Sequence, residues 1–244
     1  MKPCTVAVAQ MRVTPSAEAN TTRIIRFIKA AAARRADIVL FPEGSVYDES
    51  KRNFSGFSRY LKQIQSACKI NRIWCIFASY NKQRRKILNT AFLINRSGKV
   101  VYRYNKKHLY FPELRRVTPG RANRAVGTEF GKIGIIICFD DEWPDDIRAL
   151  AREGAWIIFC PSSESDWPSD DVVRVLPLVR AYEAQSYFIL CDSVEPATAK
   201  VSTIASPYRI VKQLVGREGM ITAKLDPNKI KRIRRQPFIR GLRQ

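Results

Sequence analysis

The chain has 244 residues, 45% of them hydrophobic and 10% aromatic, and carries a formal net charge of +21. These values predict one large globular domain or two small ones, and they exclude a disordered, fibrous or disulfide-rich protein. Six cysteines without a Cys-x-x-Cys pair indicate reduced thiols and a cytoplasmic location, and a single histidine argues against a metal site. The sequence has no apolar run long enough to cross a membrane, so no membrane association is expected.

The excess of basic residues leaves nucleic acid open as a partner. Lysines and arginines are spread along the chain, apart from two short clusters and a basic C-terminal tail at about 229–244. Because no aromatic-rich RNA-binding motif lies among them, a nucleic-acid partner is not favoured over a generally basic enzyme.

Hydrophobic periodicity predicts alternating strands and helices in the first half of the chain. Apolar residues at helical spacing indicate helices, and short β-branched or aromatic runs indicate strands. The predicted order is strand 5–9, helix 15–35, strand 36–44, helix 54–71, strand 73–79, and a hairpin of 87–95 and 100–104 followed by a loop at 105–120.

The stretch 131–163 is predicted to fold as strand, sharp turn, helix and strand. A buried strand at 133–137 ends at Cys138, and Pro144 suits the first turn of a helix that precedes a second strand at 155–160. Such a turn holds one side chain at the carboxyl edge of a parallel sheet, where α/β folds place their sites. A thiol beside a helix N-terminus favours thiolate, although a free cysteine is as readily a small buried core residue.

The remaining chain is predicted to contain one helix and four strands. The helix covers 172–186, and the strands cover 187–191, 201–204, 209–215 and 219–225. Ten or eleven short strands and four helices, with a hairpin in the middle, predict an α/β fold whose large mixed sheets are covered by helices.

Three predicted strands lead into residues suited to chemistry. One ends at Glu43, one runs into Lys106, and one ends at Cys138. With these groups at one sheet edge, the carboxylate can take the thiol proton, the thiol can attack a carbon bonded to nitrogen, and the ammonium can stabilise the oxyanion. His108 is an alternative base for the thiol, as in papain-like enzymes, but we prefer a structural role for it.

These residues resemble the nitrilase, or carbon–nitrogen hydrolase, superfamily. Five segments match the family's motifs in the expected order. They are Leu40-Phe41-Pro42-Glu43, Lys106-Lys107-His108-Leu109, Glu113 before Pro119-Gly120, Cys138-Phe139-Asp140 with Trp143-Pro144, and Arg180-Ala181 with Glu183. The resemblance covers residues 6–226 and therefore favours a single domain over 1–244.

The resemblance implies a four-layer α-β-β-α sandwich with two mixed sheets, no cofactor, and homo-oligomers built on a dimer. It implies that Glu43, Lys106 and Cys138 are catalytic, with Glu113 as a second active-site glutamate and the Phe139 N–H as an oxyanion donor. The implied activity is hydrolysis of a non-peptide C–N bond in a small amide or N-carbamoyl compound through a cysteine thioester. Nitrile hydrolysis by the same residues, or a nucleic-acid-binding scaffold that keeps the fold, remains an alternative.

Departures from the family pattern lie around the substrate side of the site. Glu142 stands where the family often has arginine. The loops 139–146 and 161–171 leave neighbouring strands, so they are expected to border the site. Within them we assign four residues to substrate binding: Glu142, Trp143, Ser162 and Glu164.

The segment 140–171 is acidic within a basic chain. It holds ten acidic and two basic residues, a net charge of −8, against +29 for the rest of the sequence. Because a cleft lined by one sign of charge attracts the opposite sign, one hypothesis is a cationic, polyamine-like substrate recognised by Glu142. The alternative is that these acids cap helices and pair with surface arginines.

Overall fold

The computed structural model describes residues 2–48, 50–51, 53–164, 170–195 and 198–236. Within these ranges, twelve strands form two six-stranded sheets. The strands are β1 (Cys4–Gln10), β2 (Ile38–Leu40), β3 (Trp74–Gln83), β4 (Lys86–Ile94), β5 (Val100–Asn105), β6 (Val126–Thr128), β7 (Gly131–Ile135), β8 (Ile157–Pro161), β9 (Tyr187–Cys191), β10 (Val201–Ser206), β11 (Arg209–Val215) and β12 (Gly219–Leu225). The helices are α1 (Ala17–Ala33), α2 (Phe57–Asn71), α3 (Pro144–Arg152), α4 (Asp170–Ala184) and α5 (Pro227–Arg235).

Each sheet has a parallel centre and antiparallel edges. The first runs in the order β12-β1-β2-β3-β4-β5, and β1, β2 and β3 are parallel. The second runs in the order β11-β10-β9-β8-β7-β6, and β7, β8 and β9 are parallel. Strand β1 pairs along its whole length with β12, from Cys4 opposite Leu225 to Gln10 opposite Gly219. Glu43 follows the carboxyl end of the parallel strand β2, and Cys138 follows the carboxyl end of the parallel strand β7.

The two sheets pack face to face, and helices cover their outer faces. The central layer joins residues such as Val6 and Ile38 of the first sheet to Ile133, Ile157 and Ile189 of the second. Helices α1 and α2 share a core with the first sheet, and α3 and α4 share one with the second. The predicted four-layer α-β-β-α sandwich with two mixed sheets is confirmed. Of the helices in the described ranges, none has the length and apolar character needed to cross a membrane.

The sequence explains why α1 forms where it does. The Ser16 side chain accepts a hydrogen bond from the N–H of Ala19, which caps the first turn. Ile24, Phe27 and Ile28 then recur at helical spacing and lie buried against the first sheet. The chain leaving this helix leads directly into β2, the strand that precedes Glu43.

Three elements before the C-terminal tail differ from the prediction. The strand expected at 36–44 is paired only over β2, and the turn expected after Cys138 is a 3₁₀ turn over Cys138–Glu142. Strand β6 was not predicted because three residues around a glycine give little periodicity.

The described part of the basic tail is a helix rather than a free segment. Residues Pro227–Arg235 form α5, and residues 237–244 lie outside the described ranges. Ile230 is buried in the layer between the sheets, and the Arg234 guanidinium donates to the carbonyl oxygens of Gln185 at 2.9 Å and Ala155 at 2.6 Å. The helix therefore packs on the second sheet through a narrow apolar stripe and one arginine.

Candidate active site

Glu43 lies just after β2, where the two sheets end side by side. Its N–H donates to the carbonyl of Ser162 at 3.1 Å, and Ser162 follows β8 in the other sheet. Gly44, with a φ of +69°, then turns the chain away, a conformation that glycine adopts without strain. This geometry ties the two sheet edges together and leaves the Glu43 side chain buried, only 6% exposed.

Lys106 directly follows β5, and its ammonium is buried between two carboxylates. Its backbone N–H donates to the carbonyl of Asn89 in the neighbouring strand at 2.9 Å. Its Nζ lies 2.8 Å from Glu43 Oε1 and 2.8 Å from Glu113 Oε2. The chain at Gly120 packs directly against the end of β5, because a Cβ at this position would lie 2.0 Å from the carbonyl oxygen of Asn105.

Glu113 begins a short 3₁₀ turn, and each of its carboxylate oxygens has two partners. Oε1 accepts from the Tyr80 hydroxyl at 2.6 Å and from the Asn89 amide at 2.9 Å. Oε2 accepts from the Tyr110 N–H at 2.8 Å and contacts Lys106 Nζ at 2.8 Å. Four partners of this kind hold the carboxyl group as an anion.

Burial and neighbouring groups shift the pKa values of the two glutamates in opposite directions. Burial raises the pKa of Glu43, and the charge of Glu113 adds to this, although Lys106 opposes it. Burial also acts on Glu113, but Lys106 and the hydrogen bond from Tyr80 outweigh it and leave the pKa of Glu113 lowered. Burial opposes the charge of Lys106, but its carboxylate neighbours raise its pKa well above the ordinary value, so it stays protonated. Glu43 is the carboxylate better suited to accept a proton.

Cys138 is the first residue of the 3₁₀ turn over Cys138–Glu142 that follows β7, and its backbone is strained. Its φ is +45°, in the left-handed region that residues with a side chain rarely adopt. A sharp turn of this kind presents a nucleophile at the end of a buried strand. The residue is 9% exposed, whereas the other five cysteines are fully buried.

The expectation of a resting thiolate is wrong for this environment. Burial raises the pKa of the Cys138 thiol well above its ordinary value, and the carboxylates of Glu43 and Glu164 act in the same direction. Lys106 and the contact with the Ser162 hydroxyl oppose the shift without cancelling it. Helix α3 begins only at Pro144, so its N-terminus does not compensate for burial. The resting group is a thiol, and a base must remove its proton during attack.

Asp140 connects the nucleophile turn to the lysine segment. Its Oδ1 accepts from the N–H of His108 at 2.8 Å. Its Oδ2 accepts from the N–H of Ile137 at 2.9 Å and from the Tyr104 hydroxyl at 2.8 Å. One buried carboxylate therefore fixes these two segments relative to each other.

A cavity of about 330 Å³ opens onto these groups. Two further carboxylates, Asp48 and Glu195, lie in its wall. The residues expected to be catalytic also line it: Glu43, Lys106, Glu113 and Cys138. Among the described residues of the wall, no acid belongs to the acidic segment that was expected to rim the site.

The four residues expected to bind substrate divide into two pairs. Ser162 and Glu164 are buried close to the thiol, and the Ser162 hydroxyl donates to the Glu164 carboxylate. Glu142 and Trp143 are not among the described residues that line the cavity. The Trp143 ring instead stacks on His108, with 3.8 Å between ring centroids.

The residues next to Lys106 point away from the thiol. Lys107 Nζ and His108 Nε2 each lie 2.7 Å from Asp146 Oδ2 in α3. The Lys106 side chain is 1% exposed and that of Lys107 is 36% exposed, so the two adjacent lysines face opposite sides. His108 supports α3 rather than serving as a base for Cys138.

Sequence reasoning missed Tyr80 and Asn89, which lie opposite each other in β3 and β4 and both donate to Glu113. The available signal was a polar side chain inside an otherwise apolar strand. A buried polar side chain needs a partner, so Asn89 in the run 88–94 marks a polar interior on that face.

The chain matches the family described as carbon-nitrogen hydrolase over residues 5–235. Omega-amidase NIT3 of Saccharomyces cerevisiae is 26% identical to it, over 90% of this chain and 86% of that protein. The deaminated glutathione amidase of Synechocystis sp. is also 26% identical, over 97% of this chain and 96% of that protein.

Two solved structures share the fold. Nit3 of Saccharomyces cerevisiae, described as a member of branch 10 of the nitrilase superfamily, has a TM-score of 0.85 and 24% identity, covering 96% of this chain and 93% of that one. A carbon-nitrogen hydrolase from Helicobacter pylori has a TM-score of 0.90 and 16% identity, covering 98% and 95%. Because the family match extends over nearly the whole of both sheets, this chain belongs to the carbon–nitrogen hydrolase family.

Proposed function

We propose that this enzyme hydrolyses a small linear amide or N-carbamoyl compound and that Cys138 is its nucleophile. The observation that carries the proposal is the joint position of Glu43, Lys106 and Cys138 in the wall of one cavity. Relatives named as amidases support an amide rather than a nitrile as the substrate.

In the first half of the reaction, Glu43 takes the thiol proton as the Cys138 sulfur attacks the carbonyl carbon. Lys106 and the Phe139 N–H stabilise the negative oxygen of the tetrahedral intermediate. Glu43 then gives the proton to the leaving nitrogen, the C–N bond breaks, and a thioester remains with ammonia or an amine as product. A thiol with a raised pKa fits this concerted removal of its proton.

In the second half, Glu43 takes a proton from water, and the hydroxide attacks the thioester carbonyl. The C–S bond breaks, and the proton returns to the sulfur as the acid product leaves. Glu113 already has four partners, so its role is to hold Lys106 in place rather than to take a proton.

A panel of amides, N-carbamoyl amines and nitriles, assayed for ammonia or amine release, tests the activity. We expect turnover of at least one amide or carbamoyl compound and none by Cys138→Ala. This variant removes little buried volume, so its Tm should stay within a few degrees of the wild type. Turnover of nitriles alone would show that the enzyme is a nitrilase rather than an amidase. Full activity of Cys138→Ala would show that Cys138 is not the nucleophile.

The charge of the cavity favours a substrate with a cationic group. Asp48 and Glu195 lie in the wall with Glu43 and Glu113, and among the described residues of the wall Lys106 is the one cation. Glu195 accepts a hydrogen bond from the N–H of a neighbouring loop, and two arginines near it reduce its negative field in part. Asp48 accepts two hydrogen bonds from Ser50, at 2.9 Å from the N–H and 2.6 Å from the hydroxyl, and both reach Oδ1. Its other oxygen, Oδ2, is the group that we propose meets a substrate ammonium.

Paired substrates test this preference. The kcat/KM ratio of an ω-amino amide to a neutral amide of equal length should exceed one and should fall several-fold in Asp48→Asn. Glu142→Gln is the control, because Glu142 does not line the described cavity, and it should leave the ratio unchanged. A ratio that Asp48→Asn leaves intact would exclude Asp48 as the recognition group.

We also propose that the protein is a cytoplasmic homodimer. Helix α4 exposes Val172, Val175, Val179 and Tyr182 at helical spacing, a continuous apolar stripe that a second copy would cover. The cytoplasmic location is supported by the six unpaired cysteines.

A further inference from the structure

Asn89 forms hydrogen bonds with all three charged residues of the cluster, Glu43, Glu113 and Lys106. Its Nδ2 donates to Glu43 Oε1 at 2.6 Å and to Glu113 Oε1 at 2.9 Å. Its backbone carbonyl accepts from the N–H of Lys106 at 2.9 Å. The side chain is fully buried, so water does not compete for these bonds.

The chemistry of the amide fixes its direction. The amide nitrogen has two hydrogens, one for each carboxylate, and the opposite orientation would place Oδ1 against two carboxylate oxygens. As oriented, Oδ1 is buried without a hydrogen-bond partner among the described residues. An unpaired buried acceptor destabilises the fold, so an apolar side chain of the same shape would pack here at lower cost. The two hydrogen bonds that the amide donates are therefore the reason for an asparagine at this position.

The bond to Glu43 determines which of its oxygens remains available. Oε1 is occupied by the Asn89 amide and by the Lys106 ammonium. Oε2 receives no hydrogen bond from the residues that the structure describes, and the Glu43 side chain lines the cavity with Cys138. A carboxylate held by one oxygen therefore presents the other to the thiol.

We propose that Asn89 is a positioning residue that assigns different tasks to the two glutamates. It holds Glu43 by one oxygen so that the other takes the proton of Cys138, and it helps to keep Glu113 as the fixed counter-ion of Lys106. This role deepens the proposed function, since it concerns the same proton transfer.

The test measures how fast iodoacetamide alkylates Cys138 as a function of pH, by peptide mass spectrometry. Asn89→Leu keeps the shape of the side chain but donates no hydrogen bond to Glu43, so Glu43 should bind its proton more tightly. The half-point of the labelling curve should rise by about half a pH unit or more, and a shift of half a unit should slow labelling by about threefold at any pH below the half-point. Asn89→Asp, which adds a negative charge instead, should shift the curve in the same direction.

Asn81→Leu is the matched control. Asn81 is another buried asparagine of the same hairpin, and it donates to Thr90 Oγ1 at 2.8 Å without touching either glutamate. It should lower the Tm without moving the labelling curve. If Asn89→Leu lowers the Tm but leaves the curve in place, or if Asn81→Leu moves it equally, Asn89 has only a structural role.

Turnover separates this inference from the proposed function. With an accepted amide, Asn89→Leu should reduce kcat by about tenfold to a hundredfold with little change in KM, because the base is displaced while the binding wall remains. If the wild type hydrolyses no compound but the labelling shift is present, the proposed substrate class is wrong and the positioning role stands. If amides are hydrolysed and the labelling shift is missing, the positioning role is wrong and the activity stands.

Discussion

Two adjacent lysines show how far the role of a residue depends on its surroundings. Lys106 is enclosed between two carboxylates, whereas Lys107 forms an exposed pair with Asp146. Exposed pairs of this kind contribute about 0–1 kcal/mol, whereas removing one partner of a buried pair costs about 3–5 kcal/mol.

We expect Lys106→Met to lose about 2–4 kcal/mol of transition-state stabilisation, the usual effect of losing one oxyanion donor. It should also lower the Tm, because Glu43 and Glu113 would be left buried without a counter-ion. Lys107→Met should be mild in both respects. The measurements are kcat/KM, taken below the lowered Tm, and thermal unfolding; equal losses in the two variants would contradict the assignment.

Asp141 is a buried acid that lacks a partner, since neither carboxylate oxygen has a hydrogen bond among the described residues. Burial raises its pKa well above the ordinary value, and the carboxylates of Glu164 and Glu142 add to this. A pKa raised in the folded state costs stability as the pH rises above the unfolded value. Below that value both states are protonated and the cost disappears.

Asp141→Asn should therefore increase the free energy of unfolding at pH 7 to 8 by about 1–3 kcal/mol. The gain should shrink towards zero below about pH 4, where aspartate is protonated in both states. Asp145→Asn is the control, because the Asp145 side chain is 82% exposed and should give no such pH dependence. A gain at Asp141 that does not vary with pH would mean that the charge is not its cause.

At the scale of elements, sequence patterns predicted the strands that end at the site. The runs before Glu43 and Cys138 are short, β-branched and buried, so the ends of β2 and β7 could be located from periodicity and turn residues. The resemblance to the family motifs then predicted that Lys106 and Glu113 lie at the same edge of the sheets. The cross-strand contact of Tyr80 with Asn89 was not predictable, because it depends on the register of the hairpin formed by β3 and β4.

Helix α5 was missed because its basic residues conceal the two isoleucines that it packs inward. The thiolate prediction failed for a different reason. A thiol's pKa depends on how completely the fold buries it, and local sequence shows the turn but not the depth.

The apolar stripe of α4 is the proposed contact between the two copies of the dimer. Val175→Glu should convert a homodimer to a monomer in sedimentation velocity, because it places a charge in the centre of the proposed contact. Ile70→Glu is the control: Ile70 is 75% exposed on α2, outside the stripe, and its substitution should leave the mass unchanged. A dimer that survives Val175→Glu would place the interface elsewhere.

At the scale of the whole molecule, a charge of +21 surrounds a cavity whose described wall holds four acids and one lysine. Basic side chains gather around a second and larger cavity of about 540 Å³ beside α5, including Arg209, Lys224, Lys229 and Arg232. The distant positive charge repels a cationic substrate, whereas the acids of the cavity attract it at short range. Salt screens the first effect more than the second.

We therefore expect kcat/KM for a cationic amide to rise as ionic strength increases from about 0.01 to 0.15 M, over which the screening length falls from about 30 to 8 Å. The value for a neutral amide of equal length should stay constant, which serves as the control. A fall for the cationic amide would mean that attraction within the cavity dominates over the repulsion of the surface.

The pairing of β1 with β12 has a consequence for biosynthesis. On the ribosome β1 emerges first of all the strands described and its partner emerges last, so one edge of β1 stays bare until residue 225 has been made. A bare edge strand pairs readily with other chains, and slow closure prolongs its exposure. A chain that stops before Gly219 would keep this edge permanently, so premature termination should yield aggregates that chaperones retain rather than a weakened enzyme.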